Sequence, residues 1–408
     1  MGFTVEQDCP QCGAPIDLEE TDRLLSCPYC NVKSFLFAPD YFRFVLPHRT
    51  VGKELIYAPY LRFRGSVFFC MGQSVGHRIV DITHVGLPLK GIPLSLGVRP
   101  QALKMRFVGP DTKGSFQEFT LKASEILSKA GRLTTGSSRE KLFHHAYIGE
   151  TLSLIYFPLY IEGGRLFDAI LDRPIAKLAQ DENAFEESGK RDPRWKVTFI
   201  ATLCPRCGWD LEAERDSMVL TCSNCDTAWE ALEERFAPVD FLKVPGRGED
   251  AIYLPFWKIS ARVKGVGIDS FADFIRFTNQ PLVVGKEREK EDMSFWSPAF
   301  KIRPKVYLNL SRQMTISQGR LQTQKAIPKK HLYPINLPRK EAIQSLKVIL
   351  AASAINKEKV LPLLPEVKFE IKKTTLIFLP FTDQGHDMVQ QDLRAAINKK
   401  TLEYGRYL

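Results

Sequence analysis

Eight of the nine cysteines fall into two sets with one spacing. Cys9 and Cys12 are followed after fourteen residues by Cys27 and Cys30, and Cys204 and Cys207 after fourteen residues by Cys222 and Cys225. A C-x-x-C pair turns the chain tightly enough for two sulfurs to converge on one ion. The residue after the second cysteine then favours φ > 0, which suits Gly, Asn or Asp. Gly13, Asn31, Gly208 and Asp226 stand at these four positions. Two such pairs on neighbouring hairpins predict a closed tetrahedral four-cysteine site, so the chain is expected to hold two Zn2+ ions. Both are structural, because four thiolates leave no coordination position for water or substrate. Iron in a rubredoxin-like site and disulfides are the alternatives. Met1 to Glu6 lacks the charged-then-apolar pattern of a secretory signal, which argues against an oxidising compartment and for a cytoplasmic location. A redox C-x-x-C would stand singly at a helix start, whereas these occur in matched pairs.

The duplication runs beyond the cysteines. Phe37-Ala38-Pro39, Val45-Leu46-Pro47 and Tyr57-Ala58-Pro59-Tyr60 recur 199, 198 and 196 residues later as Phe236-Ala237-Pro238, Lys243-Val244-Pro245 and Tyr253-Leu254-Pro255-Phe256. Such spacing predicts two tandem repeats, each a four-cysteine module followed by a β-rich domain with covering helices, an α+β architecture rich in strand. A chain of 408 residues is too long for one core. The expected boundaries are 1–36 for the first module, 37–178 for the first β-rich domain, 179–195 for a polar, charged linker, 196–234 for the second module, and 235–408 for the second β-rich domain with a C-terminal helix.

Over Cys9–Cys30 and Cys204–Cys225 the chain resembles zinc-ribbon modules. The wider pattern, a ribbon followed by a Pro-flanked strand and a Tyr-x-Pro-aromatic strand, resembles uncharacterised bacterial zinc-ribbon proteins. That resemblance implies a zinc-ribbon fold at each cysteine set and carries no established activity.

Strands are expected where aromatic and β-branched residues alternate with charge. Leu61 and Phe63 oppose Arg62 and Arg64, and Ile259, Ala261 and Val263 oppose Lys258, Arg262 and Lys264, the period of a sheet with one wet face. Tyr156-Phe157-Pro158-Leu159-Tyr160 and Phe378-Leu379-Pro380-Phe381 repeat the proline motif, and each proline, lacking a donor, is expected at a strand start or an edge. Helices are expected over Ser115–Leu133, Arg339–Ala354 and Met388–Leu402 from their apolar stripes. Gly285 to Asp292 reads as a solvated loop, and Lys325 to Lys340 as a basic, proline-rich loop.

No phosphate-binding loop, dinucleotide fingerprint, H-E-x-x-H or G-x-S-x-G nucleophile elbow is present. His144 and His145 are adjacent and poor co-ligands of one ion, and Cys70 reads as a small buried hydrophobe. Catalytic and cofactor-binding residues are therefore not assigned, and no apolar run reaches the roughly 20 residues of a membrane span. A net charge of +10 permits an acidic partner. Against it, residues 13 to 26 carry Asp17, Glu19, Glu20 and Asp22, and residues 208 to 221 carry Asp210, Glu212, Glu214 and Asp216, which should repel phosphate. The expectation is a non-enzymatic scaffold or adaptor that contacts a protein partner. A nucleic-acid-binding zinc-ribbon protein and an enzyme with an unrecognised site in the β domains are the rival readings.

Overall fold

Period-two patterning dominates the outcome: 43% of the described residues are strand and 15% helix. The computed structural model describes residues 2–88, 91–121, 140–177, 195–246 and 250–406. Two compact units result. The first takes Met1–Arg64, Val80–Gly136 and Thr151–Ala201, the second Gly65–Ile79, Ser137–Glu150 and Thr202–Leu408. No helix among the described residues is long and apolar enough to cross a membrane.

In the first unit, β1 (Thr4–Asp8) and β2 (Pro15–Glu19) form one hairpin of the cysteine module, and β3 (Leu24–Ser26) and β4 (Lys33–Phe37) the other. Next come β5 (Phe42–Val45), β6 (Ile56–Met71), β7 (Ser74–Val85), β8 (Met105–Phe107), β9 (Ser115–Phe116), β10 (Leu142–Glu162), β11 (Arg165–Asp168), β12 (Arg173–Lys177) and β13 (Thr198–Ala201). Strands β5 and β10 pair in parallel, and β10, β11 and β12 continue as an antiparallel meander. Strand β13 adds to β4, so Thr198–Ala201 complete a sheet with the first cysteine module. Only part of β6, β7 and β10 belongs here, since Gly65–Met71, Ser74–Ile79 and Leu142–Glu150 fall in the second unit. Phe3, Phe44, Met105, Ile155 and Phe157 are among the core side chains.

The second unit contains β14 (Val219–Cys222), β15 (Thr227–Leu232) and β16 (Arg235–Val239) as one small sheet. Its main sheet is built from β17 (Phe241–Lys243), β18 (Ile252–Lys264), β19 (Ser294–Pro298), β20 (Lys368–Gln384), β21 (Asp387–Gln390) and β22 (Ala395–Asn398). Here β17 and β20 pair in parallel, and β20, β21 and β22 form an antiparallel meander. Trp257, Phe295, Tyr307 and Leu379 fill the core together with Phe68, Ala146 and Ile148 from the segments inserted early in the chain.

The motif prolines lie inside paired strands rather than at edges. The ladder survives because each faces the end of a neighbouring pairing. Pro158 and Pro255 accept from Ala169 and Ala299, which lie just past the pairs Leu159–Asp168 and Phe256–Pro298. Backbone polarity alternates along β20, so Pro380 faces the same side as Phe378, where β17 has ended and β21 has not begun.

The helix expected over Arg339–Ala354 forms as two pieces, Arg339–Gln344 and Leu346–Ser353. That expected over Met388–Leu402 does not form. Met388 and Val389 lie on β21 and Ala396 and Ile397 on β22, joined by a turn that carries Leu393 and in which Arg394 takes φ 52°, and a helix begins only at Lys399, capped by Asn398. At Ser115 the chain is strand, with Phe116 stacked 4.6 Å from Tyr57, and residues 122–133 of that expected helix lie outside the described residues. So does the expected linker, apart from Trp195, which is buried and donates to Asp40. The Gly285–Asp292 loop is tied down: Arg288 lies 4.8 Å over the Phe271 ring and bonds Glu291 and the Gln318 carbonyl.

Candidate metal centres

Each cysteine set is assembled by two tight turns. In the first unit the turn after β1 carries Cys9 and Cys12, and the β3–β4 turn carries Cys27 and Cys30. In the second, the bridge between Leu203 and Asp210 brackets Cys204 and Cys207, and β14 delivers Cys222 to a turn that closes at Thr227. Within each set all four sulfurs lie within 4.8 Å of one another. The contacts Cys9–Cys30 and Cys12–Cys27 are both 3.7 Å, and Cys204–Cys225 and Cys207–Cys222 are 3.6 and 3.5 Å. A disulfide requires about 2.05 Å, so these are separate thiols. Four sulfurs placed tetrahedrally at roughly 2.3 Å from one ion stand about 3.8 Å apart, close to the observed spacing. Both sets can therefore hold a metal ion, as their spacing implied.

The backbone is set for the same purpose. Gly13, Asn31, Gly208 and Asp226 have φ of 73°, 58°, 73° and 49°, as expected at all four positions. Gly13, Asn31 and Gly208 donate to the carbonyls of Cys9, Cys27 and Cys204, which locks three of the turns. The N–H groups of Cys12 and Gln11 hold the Cys9 thiol down at about 7. Burial works against Cys204, yet the Arg206 and Cys207 N–H groups and the Thr227 hydroxyl bring it to about 6. Cys30 and Cys222 go the other way, to about 12. The Val32 N–H favours the Cys30 thiolate, but burial and the neighbouring sulfurs outweigh it, and burial leads at Cys222. One sulfur in each set thus ionises readily while another resists, which is how crowded thiols behave until a cation balances them.

The acidic residues around the two sets are largely engaged within their own unit. Glu20 and Asp22 are buried. Glu20 pairs with Arg62, Asp22 accepts the Glu19 N–H, and Asp17 meets Lys104 at 2.7 Å. In the second set Arg406 bonds Asp216 at 2.7 Å and Glu214 at 3.2 Å, and Ser223 donates to Glu212. The repulsion of phosphate expected from their number is accordingly weakened.

Lys325 to Lys340 is less free than its composition implied. Ile327, Ile335 and Leu337 are buried, and the Met218 and Leu337 N–H groups bond the Ile335 and Ala299 carbonyls. Ile327 donates to Asp226. Only Lys325, Lys329, Lys330, His331 and Lys340 stay exposed. His144 and His145 join no metal-ligating group among the described residues, and burial pushes His144 down to about 4. Cys70 is fully buried beside Ala351, Leu361 and Leu364, and burial raises its thiol to about 12.

One pair of titratable groups escaped the sequence reading. The Glu341 carboxylate accepts the N–H groups of Gly149 and Glu150, and the Glu150 side chain is close enough to raise its pKa. With the partners 191 positions apart in the chain, no local pattern announces it. Comparison with protein-family models, curated proteins and solved structures finds no match to this chain.

Proposed function

We propose that the chain is a non-enzymatic, cytoplasmic scaffold or adaptor. Two zinc ribbons, each closed by four cysteines around one structural Zn2+, brace two related β-rich halves and present their tips to a protein partner. The observation that supports this reading is the clustering of four sulfurs in each cysteine set, all within 4.8 Å of one another, which would leave a bound ion no position for water or substrate. Zinc held by Cys9, Cys12, Cys27 and Cys30, and by Cys204, Cys207, Cys222 and Cys225, supplies folding free energy and no open coordination position. The duplication proposed for residues 1–178 and 196–408 is supported by the shared order of a short strand parallel to a long one, β5 with β10 and β17 with β20. In each half an antiparallel meander follows.

The partner surface is proposed at the ribbon tips. Tyr29, between Cys27 and Cys30, is 69% exposed, and Trp209, two residues after Cys207, is 58% exposed. Aromatic anchors on rigid turns are what protein interfaces use as hot spots. Affinity capture from the native host with wild type and a Tyr29→Ala/Trp209→Ala chain tests this: a protein held by the first and lost by the second is expected. Identical capture by both chains would refute the tip surface.

The second reading, nucleic-acid binding, gains from the neutralised acidic residues, and exposed aromatics can also stack on bases. Micromolar or weaker, sequence-indifferent binding near physiological salt is expected. Nanomolar binding that survives about 0.15 M salt, and collapses in Lys329→Glu/Lys330→Glu, would reverse the ranking.

A further inference from the structure

The face of the second unit's main sheet that the sequence marks as wet is roofed over. The chain leaving the helix Pro304–Ser317 crosses this face as a strap, Gly319–Thr323, fixed at both ends. At one end the Gln318 amide bonds the carbonyls of Ser294 and Thr315. At the other Gln324 and Lys243 exchange backbone hydrogen bonds of 2.9 Å each way. Between strap and sheet lies a half-open cavity of about 310 Å³, at the lower end of the range for small-molecule sites.

Its lining is chemically one-sided. Lys258 and Ser260 of β18, Ser294 of β19, and Lys373 and Thr375 of β20 bring ammonium and hydroxyl groups, and no carboxylate. Leu242, Leu321 and Ile377 supply apolar wall. Trp296 is 1% exposed, so it contributes wall rather than a donor. Lys258 stands with Nζ 5.6 Å from the Trp296 ring and has no ion-pair partner among the described residues. The acid whose charge acts on it, Glu291, is already engaged by Arg288 at 3.0 Å and Arg320 at 3.8 Å. The pairing of β18 with β20 shifts register between Ser260 and Ala261, beside the cavity, and such bulges commonly re-aim side chains at sites.

We propose that this cavity is a binding site for a small organic carboxylate with a flat apolar body, a class to which the ribbon reading assigns nothing. The carboxylate is held by Lys258 and the hydroxyls around it, and the body lies against Leu321 and Ile377. Metal ions take no part, so the proposal stands or falls apart from the proposed function.

Calorimetric titration of the full chain with benzoate tests it, with benzylamine as the cationic control of similar shape. Saturable benzoate binding in the millimolar range or tighter, and none of benzylamine, is expected. Lys258→Gln, which keeps the stem, should weaken benzoate by about 10-fold or more, as loss of a charged hydrogen-bond partner implies. Thermal melting shows whether Lys258→Gln, on a half-buried site, is folded. Absence of saturable benzoate binding, equal binding of benzylamine, or unchanged affinity in folded Lys258→Gln would each overturn the proposal.

Discussion

Arg62 on β6 sets its guanidinium against the Glu20 carboxylate, Nε to Oε1 at 2.9 Å and Nη2 to Oε2 at 3.2 Å, with both side chains 1% exposed. Asp81 on β7 takes the remaining Nη1, and Arg64 stands 3.7 Å from the same Glu20 carboxylate. Glu20 lies one residue beyond β2, between the two cysteine turns, so this buried pair joins the first cysteine module to the sheet of its own unit. Removing one partner of a buried ion pair strands the other, whereas replacing both by apolar groups is often neutral. Arg62→Ala is therefore expected to destabilise the first unit by about 3–5 kcal/mol, and Arg62→Met/Glu20→Leu by much less. Chemical denaturation of wild type, Arg62→Ala and Arg62→Met/Glu20→Leu checks it, and a double variant as unstable as Arg62→Ala would contradict it.

The parts of the molecule that were legible beforehand are those fixed by neighbours in sequence. The eight cysteines and the four positive-φ residues are set by turns of four or five residues, so spacing alone located them. The apolar spacing of Val389, Leu393, Ala396 and Ile397 fits one helix stripe as well as two short strands joined by a turn. Gly385, at φ 84° in the turn before β21, is part of what tips it to strands. Lys258 and Trp296, Glu150 and Glu341, and the share of β6, β7 and β10 in both units depend on tertiary packing. An alternating strand reads the same whichever core it serves.

Elemental analysis of protein purified without added metal is expected to find two zinc ions per chain. Cys27→Ser should reduce this to one and destabilise the first unit, since a structural site contributes its binding free energy to folding. A ratio near zero, or iron in the majority, would remove the zinc assignment from both sets.

The second cysteine set and all that follows, Thr202–Leu408, are not expected to fold normally when produced alone. Phe68, Ala146 and Ile148 are buried in that unit's core, Phe68 with its ring 5.7 Å from Tyr307, and Cys70 packs on Ala351 and Leu361. Omitting such side chains costs about 2–5 kcal/mol for each large one. A fragment that binds a hydrophobic dye and lacks a cooperative melting transition is expected. One that melts cooperatively near the temperature of the full chain would show that residues 65–79 and 137–150 are dispensable to it.

The Glu150–Glu341 pair should give the second unit a pH-dependent stability of definite sign. Burial and the neighbouring Glu150 charge push Glu341 up to about 8, against Lys301 and the N–H groups of Gly149 and Glu150. Burial lifts Glu150 to about 7, against Lys340 and Lys301. Both folded-state values lie above the ordinary 4.5 of an exposed glutamate. Between that value and about 8 the folded chain therefore holds protons that the unfolded chain has released. Stability from this pair is fully present below about pH 4.5, falls as pH rises through the window, and levels off above about 8. Glu341→Gln keeps an oxygen to accept the two N–H bonds and removes the charge. It should flatten the decline between about pH 5 and 8, and leave the variant more stable than wild type at the upper end. Urea denaturation at a series of pH values gives the difference directly, free of other titrating groups. Two curves that run parallel across the window would show that the pair does not hold the proton.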